Sequence, residues 1–261
     1  MITERDIIQY AKLNRLKPYQ QEKHYLQTAT LAGIFTEVTD ELIFKGGTAL
    51  FFFYGLDRFS EDLDFTEIKK LNLEKLKKKL SDYLTIINIF HEVKIKKSIA
   101  GKILKLKAQG PLYRGSPSES FISIEISERN DLVLSPDTKD IIPIYNDLRP
   151  FTAVVMKKEE ILAEKVRALL IRGRARDLYD ISFLLKKGIS FDYKLINKKL
   201  SYYNKSFDEE EFIHQAEEIK KIWQSELHGL IPKIPAYDEI LHLILEKLKN
   251  WEIFISKKCL I

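Results

Sequence analysis

The sequence predicts an α+β fold, in which a mixed sheet with flanking helices precedes a helical bundle. Short segments that alternate apolar and polar residues, typical of strands, occur in the first part of the chain. After residue 156 the apolar residues instead recur at helical spacing, as at Ile161 and Leu169. This change of pattern predicts two domains, residues 1–155 and 156–261.

The composition favours a soluble globular protein. Of the 261 residues, 45% are hydrophobic and 31% are charged, which fits neither a membrane bundle nor a disordered chain. Lys and Arg number 43 and Asp and Glu 38, and the net charge of +5 permits a polyanionic partner without requiring one. No apolar stretch suits a signal peptide or a membrane span. Because Cys259 is the single cysteine, no intrachain disulfide can form, and we expect a cytoplasmic location.

The elements are predicted in order from periodicity and turn residues. Thr3 and Asp6 have the spacing of a capping box at the start of a short first helix, and a second helix runs from Pro18 to Val38. The other elements predicted before residue 157 are strands at 41–45, 62–66, 89–97, 102–108, 119–127 and 150–156, and helices at 48–54 and 71–87. The segment SPDTKD, residues 135–140, is predicted as a loop. The later helices are predicted at 157–172, 175–187, 191–203, 207–225 and 236–251.

A pair of glycines lies between a predicted strand and a predicted helix. Gly46, Gly47 and Thr48 occupy this turn, where backbone N–H groups and the positive end of the helix converge on any bound anion. Such a turn suits a triphosphate. A tight turn that needs glycine only for its backbone conformation is the alternative.

Two aspartates share one face of the short strand that follows. Asp62 and Asp64 are separated by one residue, so their carboxylates lie side by side and can share hard cations such as Mg²⁺. The alternative is an exposed acidic strand end. Arg58 and Ser60, just before the pair, are candidates either to cap the strand or to steady the carboxylates and a phosphate.

A third carboxylate is available on a later strand. In FISIEIS, residues 121–127, three isoleucines define the core face and Glu125 projects to the other side. If this strand neighbours residues 62–66, Glu125 completes the acidic site. Otherwise it is an exposed glutamate on an amphipathic strand.

Lys165 lies beside an apolar helical stripe that includes Ile161 and Leu169. Its ammonium group must therefore reach solvent or meet an anion, and a phosphate is one such anion. Further along the chain, arginines surround a glycine turn that leads into two aspartates. These residues are Arg172, Arg174, Arg176, Asp177 and Asp180, and they predict either an internal ion-pair network or contacts with a nucleotide or RNA.

Four lysines alternate with apolar residues on two neighbouring predicted strands. Lys94, Lys96, Lys105 and Lys107 would share one face of a hairpin that turns near Gly101. Such a face either follows a phosphate backbone or is simply a solvated sheet surface.

Three segments together resemble the signature blocks of the AbiEii/AbiGii-type nucleotidyltransferase toxins, which belong to the DNA polymerase β-like nucleotidyltransferase superfamily. They are KGGTAL (Lys45 to Leu50), RFSEDLDF (Arg58 to Phe65) and AEKVRALLIRGRARDLYDI (Ala163 to Ile181). The resemblance covers about residues 40–187 and implies a polymerase β-like nucleotidyltransferase domain. Residues 188–261 carry no part of it.

The resemblance also implies roles for individual residues. The implied metal ligands are Asp62, Asp64 and Glu125, the last being the acid that varies within the family. The implied catalytic residues are Asp62, Asp64, Glu125, Lys165 and Asp177. The predicted nucleotide-binding residues are Gly46, Gly47, Thr48, Arg58, Ser60 and Lys165.

The main functional hypothesis is therefore a Mg²⁺-dependent nucleotidyltransferase that uses an NTP and two metal ions. The resemblance implies a toxin with an antitoxin partner in phage defence, and RNA, particularly tRNA, as acceptor. Two alternatives stay open: a nucleotidyltransferase that modifies a small molecule or a protein, and a non-catalytic nucleotide- or RNA-binding module.

Overall fold

The computed structural model describes residues 1–38, 41–98 and 101–258, so Cys259 lies outside the described residues. Internal contacts divide the chain into two compact units. The first unit contains Met1–Ala49, Ser60–Leu132 and Pro136–Val155, and the second contains Leu50–Phe59, Val133–Ser135 and the chain from Met156 onward. The predicted domain limits, 1–155 and 156–261, stay a prediction.

The α+β fold is confirmed, with a seven-stranded mixed sheet in the first unit. The strands are β1 (Leu42–Lys45), β2 (Leu63–Glu67), β3 (Phe90–Ser98), β4 (Gly101–Gln109), β5 (Ser120–Ser127), β6 (Asp137–Ile141) and β7 (Phe151–Val155). Their order across the sheet is β3-β4-β5-β2-β1-β7-β6. The central strand β2 runs antiparallel to β1 and parallel to β5.

Several helices accompany this sheet. They are α1 (Glu4–Asn14), α2 (Pro18–Glu37) and α4 (Leu73–Ile86), while α3 (Gly46–Tyr54) follows β1 directly. The predicted capping box at Thr3 and Asp6 is confirmed, because each residue's side chain bonds to the other's backbone N–H. Helices α2 and α4 contact each other and strands of the sheet.

The alternation of residues along the strands separates a buried face from a polar one. The buried face consists of apolar side chains with almost no exposed surface, namely Leu63, Phe65, Leu104, Leu106, Ile122, Ile124 and Ile126. Successive residues of a strand point to opposite sides, so Asp64 and Glu125 project from the other face. The apolar core thereby fixes the direction of both carboxylates.

The prediction that residues 135–140 form a loop is wrong, because β6 begins at Asp137 within that segment. This strand lies at an edge of the sheet and pairs with β7. Charged residues are common on edge strands because they discourage pairing with other chains. The strand therefore lacks the apolar alternation by which the other strands are recognised.

The second unit is helical, as expected. Its helices are α5 (Lys158–Arg172), α6 (Ala175–Lys186), α7 (Tyr193–Leu200), α8 (Glu209–Glu218), α9 (Trp223–Leu227) and α10 (Tyr237–Lys258). The helix predicted at 207–225 is broken by a short 3₁₀ turn at Ile219–Lys221. Ile219, Trp223 and Leu227 are all buried at helical spacing, so the apolar pattern does not reveal the break. None of the helices in the described ranges is long and apolar enough to cross a membrane.

A buried ion pair connects parts of the second unit that are distant in sequence. The Lys199 ammonium lies 2.6 Å from Glu160 Oε1, and both side chains are fully buried. The Glu160 carboxylate also accepts hydrogen bonds of 2.8 Å from the backbone N–H groups of Val133 and Leu134. These bonds compensate for the cost of burying the two charges.

Candidate functional site

The acidic pair lies at the beginning of β2, in the centre of the sheet. Leu63 and Phe65 are fully buried on one side, so Asp64 projects from the other, and Asp62 immediately precedes the strand. In the sheet register, Asp64 stands opposite Lys45 of β1 on one side and Glu125 of β5 on the other. Asp64 thus lies between a buried cation and a second carboxylate.

Glu125 is brought beside Asp64 by the parallel pairing of β2 and β5. It is exposed to solvent, and its Oε1 accepts a hydrogen bond of 3.3 Å from the Ser123 hydroxyl. The Lys105 ammonium donates in turn to Ser123 Oγ at 2.7 Å. Within the described part of the chain no three metal-ligating side chains already form a group able to hold an ion. The role of Glu125 as third metal ligand stays a prediction.

The glycine turn lies directly against the acidic pair. Gly46 has a φ of +76°, and a Cβ atom added there would lie 2.3 Å from Asp64 Oδ2 and 2.9 Å from Asp64 Cβ. Any other residue would be strained in its backbone and would displace the carboxylate. Gly46 is therefore needed both for the turn and for the close approach to Asp64.

Thr48 ties the start of α3 to the acidic segment. Its side chain is fully buried, and its hydroxyl donates a short hydrogen bond to the backbone carbonyl of Asp62. Gly46 and Gly47 form the first turn of the nine-residue helix α3. Phosphate binding by Gly46, Gly47 and Thr48 stays a prediction, while the contact observed for Thr48 positions Asp62.

Gln27 of α2 holds the residues that precede Asp62. Its Nε2 donates hydrogen bonds of 2.9 Å to the carbonyl oxygens of Ser60 and Glu61. The observed contribution of Ser60 is therefore made by its backbone. The sequence analysis missed Gln27, although a fully buried glutamine within an apolar helix needs polar partners.

In the second unit, Arg58 forms a buried two-pronged ion pair with Asp180. The Arg58 Nε and Nη2 atoms donate to the two carboxylate oxygens at 2.9 Å and 2.8 Å, and Nη1 donates to the carbonyl of Phe59. Burial lowers the Arg58 pKa, but the neighbouring Asp180 outweighs it and raises that pKa above its ordinary value. Nucleotide binding by Arg58 stays a prediction, and its observed contacts give it a structural task.

Lys165 is clamped between two aspartates in the same unit. Its ammonium lies 2.8 Å from Asp180 Oδ2 and 3.2 Å from Asp177 Oδ1, and all three side chains are buried. Arg172 binds the two oxygens of Asp177 at 2.8 Å and 2.9 Å. Thus Arg58, Asp180, Lys165, Asp177 and Arg172 form one chain of ion pairs, which we call the lysine clamp.

The lysine clamp keeps its carboxylates ionised and a positive charge in excess. Burial raises the pKa of Asp177, but Lys165 and Arg172 outweigh it and hold that pKa at about 2. The pKa of Asp180 is also lowered, since Arg58 and Lys165 outweigh its burial. Three cations face two carboxylates, so the clamp carries one net positive charge.

Two of the arginines around Gly173 form internal ion pairs, the first of the two alternatives that the sequence predicts. Arg172 binds Asp177, and Arg174 Nη1 lies 2.7 Å from Glu226 Oε1. The sequence analysis singled out Lys165, Arg172, Asp177 and Asp180. It did not predict that Arg58 pairs with Asp180. That connection spans residues 58 to 180 and leaves no local signal.

Comparisons with known proteins agree with this fold. Residues 30–247 match the family model described as "Nucleotidyl transferase AbiEii toxin, Type IV TA system". JHP933 from Helicobacter pylori has a similar structure, with a TM-score of 0.64 and 22% identity, covering 94% of this chain and 99% of its own. MenT4, described as nucleotidyltransferase toxin Rv2826c from Mycobacterium tuberculosis H37Rv, has a TM-score of 0.66 and 18% identity, covering 95% of this chain and 88% of its own. No curated protein matches the sequence.

The family match defines the class of this protein as a nucleotidyltransferase. Because the family model spans most of its length, the chain belongs to the AbiEii nucleotidyltransferase toxin family of type IV toxin–antitoxin systems. The predicted family resemblance is confirmed.

The substitution Gly46→Ala tests the contact with Asp64. We expect a loss of about 1–2 kcal/mol of unfolding free energy from the left-handed backbone alone. A further loss follows from displacing the Asp64 carboxylate, 2.3 Å from the new Cβ. Urea unfolding measures the stability, and its repetition with Mg²⁺ tests the predicted cation binding, which the variant should lose.

Gly55→Ala is the matched control, because Gly55 has a φ of +75° with no atom within 4 Å of an added Cβ. Gly55→Ala should lose unfolding free energy through its left-handed backbone alone. Its stability should still respond to Mg²⁺ as that of the wild type does. Equal behaviour of the two variants would contradict the importance of the Gly46 contact.

The substitution Arg58→Met tests the lysine clamp. Removing Arg58 takes both of its charge-assisted hydrogen bonds from the buried Asp180 carboxylate and leaves Lys165 as the remaining cation there, so we expect a loss of about 3 kcal/mol in urea unfolding. Arg114→Met is the control, since Arg114 pairs with Glu4 at the surface and should lose at most about 1 kcal/mol. Similar losses in the two variants would show that the clamp does not stabilise the second unit.

Proposed function

We propose that this toxin transfers a nucleoside monophosphate from an NTP to an acceptor hydroxyl and releases pyrophosphate, in a Mg²⁺-dependent reaction. The observation that carries this proposal is the placement of Asp64 beside Glu125, with Gly46 packed against Asp64 and Asp62 immediately before the same strand. This arrangement combines carboxylates with a glycine turn at a helix start, as nucleotide chemistry with a divalent cation requires.

The donor atoms suit Mg²⁺. Asp62 and Asp64 offer hard carboxylate oxygens, and Mg²⁺ is typically held by one or two carboxylates together with substrate phosphates and water. A pair of aspartates is therefore sufficient without a complete protein cage, and Glu125 is the nearest further carboxylate in the register. Two bound ions would lower the pKa of the acceptor hydroxyl and offset the charge of the leaving pyrophosphate.

The residues of the chain have the following proposed tasks. The N–H groups of Gly46 and Gly47 bind the NTP phosphates, and Thr48 and Gln27 keep Asp62 and its preceding residues in place. Glu125 accepts the proton of the acceptor hydroxyl as the acceptor oxygen bonds to the α-phosphorus and the bond to pyrophosphate breaks. The exposure of Glu125 and its bond from Ser123 support this role.

Lys165 is proposed to offset charge that develops on the phosphates. Its ammonium has three N–H donors, one more than its two aspartate contacts engage. The net positive charge of the lysine clamp supports this electrostatic role, and Asp177 acts by orienting Lys165. Arg58 and Arg172 contribute by neutralising the same aspartates.

The acceptor is proposed to be RNA, with tRNA the leading candidate, and the partner an antitoxin in the cytoplasm. Membership of a type IV toxin–antitoxin family supports an antitoxin and a cellular target. The lysines on the same sheet face as Glu125 support a polyanionic acceptor.

A labelling assay tests the proposed function. The protein is incubated with Mg²⁺, total cellular RNA and each α-³²P-labelled NTP in turn, beside Asp62→Asn/Asp64→Asn. The wild type should label RNA, and the double variant should be slower by about 1000-fold or more, since metal ions supply several kcal/mol of transition-state stabilisation. Protein and metabolite extracts replace RNA in parallel reactions to detect another acceptor.

Glu61→Gln is the matched control, because Glu61 is adjacent but exposed and pairs with Lys23 at 3.1 Å. It should keep nearly full activity. Absence of labelled product in every extract with Mg²⁺ or Mn²⁺ would contradict the enzyme proposal, and so would equal losses in Glu61→Gln and the double variant.

A further inference from the structure

The polar face of the sheet continues from the acidic pair to the edge strand β3. The strand register arranges its side chains in rows across β5, β4 and β3. The rows run from Glu125 to Ile103 and Lys96, from Ser123 to Lys105 and Lys94, and from Phe121 to Lys107 and Glu92. Directly opposed residues point to the same side, so these side chains share one surface, which we call the outer face.

Two phenylalanines stand exposed on the outer face. Phe121 is 59% exposed, and Phe90 at the start of β3 is 75% exposed. Both follow the alternation of their strands, because Ile122 on β5 and Val93 on β3 point into the core. Lysines on an edge strand are explained by protection against aggregation, but exposed phenylalanines have the opposite effect. The two exposed rings are therefore available to stack on a ligand.

The lysines give the outer face its charge. Lys94, Lys96, Lys105 and Lys107 lie on it, and Glu92 and Glu119 pair with Lys94 and Lys107 at 3.0 Å and 2.7 Å. Apart from Glu125, these four lysines and two glutamates have a net charge of +2. Lys105 also connects the basic region to Glu125 through Ser123.

We propose that the outer face binds the acceptor as a single strand of nucleic acid, with Phe121 stacking on a base and the lysines neutralising phosphates. This inference rests on the proposed function, for which it names the surface that guides the acceptor end to Asp64 and Glu125. Phe121 lies four residues from Glu125 along β5, about 13 Å at about 3.3 Å per residue. A single strand suits the face because unpaired bases stack on aromatic rings while lysines follow the backbone. An acidic protein would use the lysines but would not account for the rings.

Fluorescence anisotropy tests the inference with a labelled single-stranded RNA of about 12 nucleotides. Phe121→Ala should raise the Kd for this RNA about 10-fold, because one base loses its stacking partner. Phe121→Trp should restore the affinity. Ile142→Ala is the control, since Ile142 is an apolar residue 79% exposed outside the outer face. It should leave the Kd unchanged.

The contribution of the lysines is measured by salt dependence. Lys94→Gln/Lys96→Gln should reduce the slope of log K against log salt by about 1.4, or about 0.7 for each lost phosphate contact. Lys75→Gln/Lys79→Gln removes the same charge from α4, where both lysines pair with Glu37. That variant should keep the wild-type slope.

Three outcomes would overturn the inference. The first is an unchanged RNA Kd in Phe121→Ala. The second is the same loss of slope in both lysine variants. The third is tight binding of poly-L-glutamate that is lost in the same outer-face variants, which would indicate an acidic protein partner. Failure here is distinct from failure of the proposed function: RNA labelling that depends on Asp62 and Asp64 but not on Phe121 leaves the enzyme proposal intact.

Discussion

The close approach of Gly46 to the carboxylate of Asp64 is the constraint on which the first unit depends. A backbone turn fits there only because the glycine has no Cβ, and the same turn begins α3 and places Thr48 beneath the carbonyl of Asp62. The antiparallel pairing of β1 with β2 places Lys45 opposite Asp64, and so brings Gly46, the next residue, against the Asp64 carboxylate. The acidic pair is therefore positioned by packed backbone and by the buried core of the sheet.

Charge is organised differently in the second unit. There the lysine clamp places Lys165 between two aspartates, and each aspartate is held from its other side by an arginine. The pKa of Asp177, at about 2, means that this carboxylate stays ionised at neutral pH. The ammonium of Lys165 is thereby fixed in orientation. Asp177, which the sequence analysis predicts to be catalytic, thus contributes most directly by positioning the Lys165 ammonium.

Local patterns made much of this account predictable from sequence. The strand, the glycine turn and the aspartate pair follow from short-range spacing, and Glu125 follows from the alternation in its strand. The meeting of Glu125 with Asp64 depends on the parallel pairing of β2 with β5, which no local pattern specifies. Arg58 and Asp180 are far apart in the chain, and Lys199 resembles a surface lysine until its burial against Glu160 is seen. Strand β6 is not recognisable from the sequence, because an edge strand tolerates charged residues and this one lacks an apolar alternation.

The central claim is that Asp62 and Asp64 hold the divalent cation that acts on an NTP. Anomalous diffraction from crystals grown with Mn²⁺ and a non-hydrolysable NTP analogue tests it most directly, because Mn²⁺ takes the same oxygen ligands as Mg²⁺. The account predicts Mn²⁺ bound by the carboxylates of Asp62 and Asp64, with the analogue's phosphates at Gly46. Manganese and analogue bound elsewhere, with these carboxylates contacting neither, would contradict it.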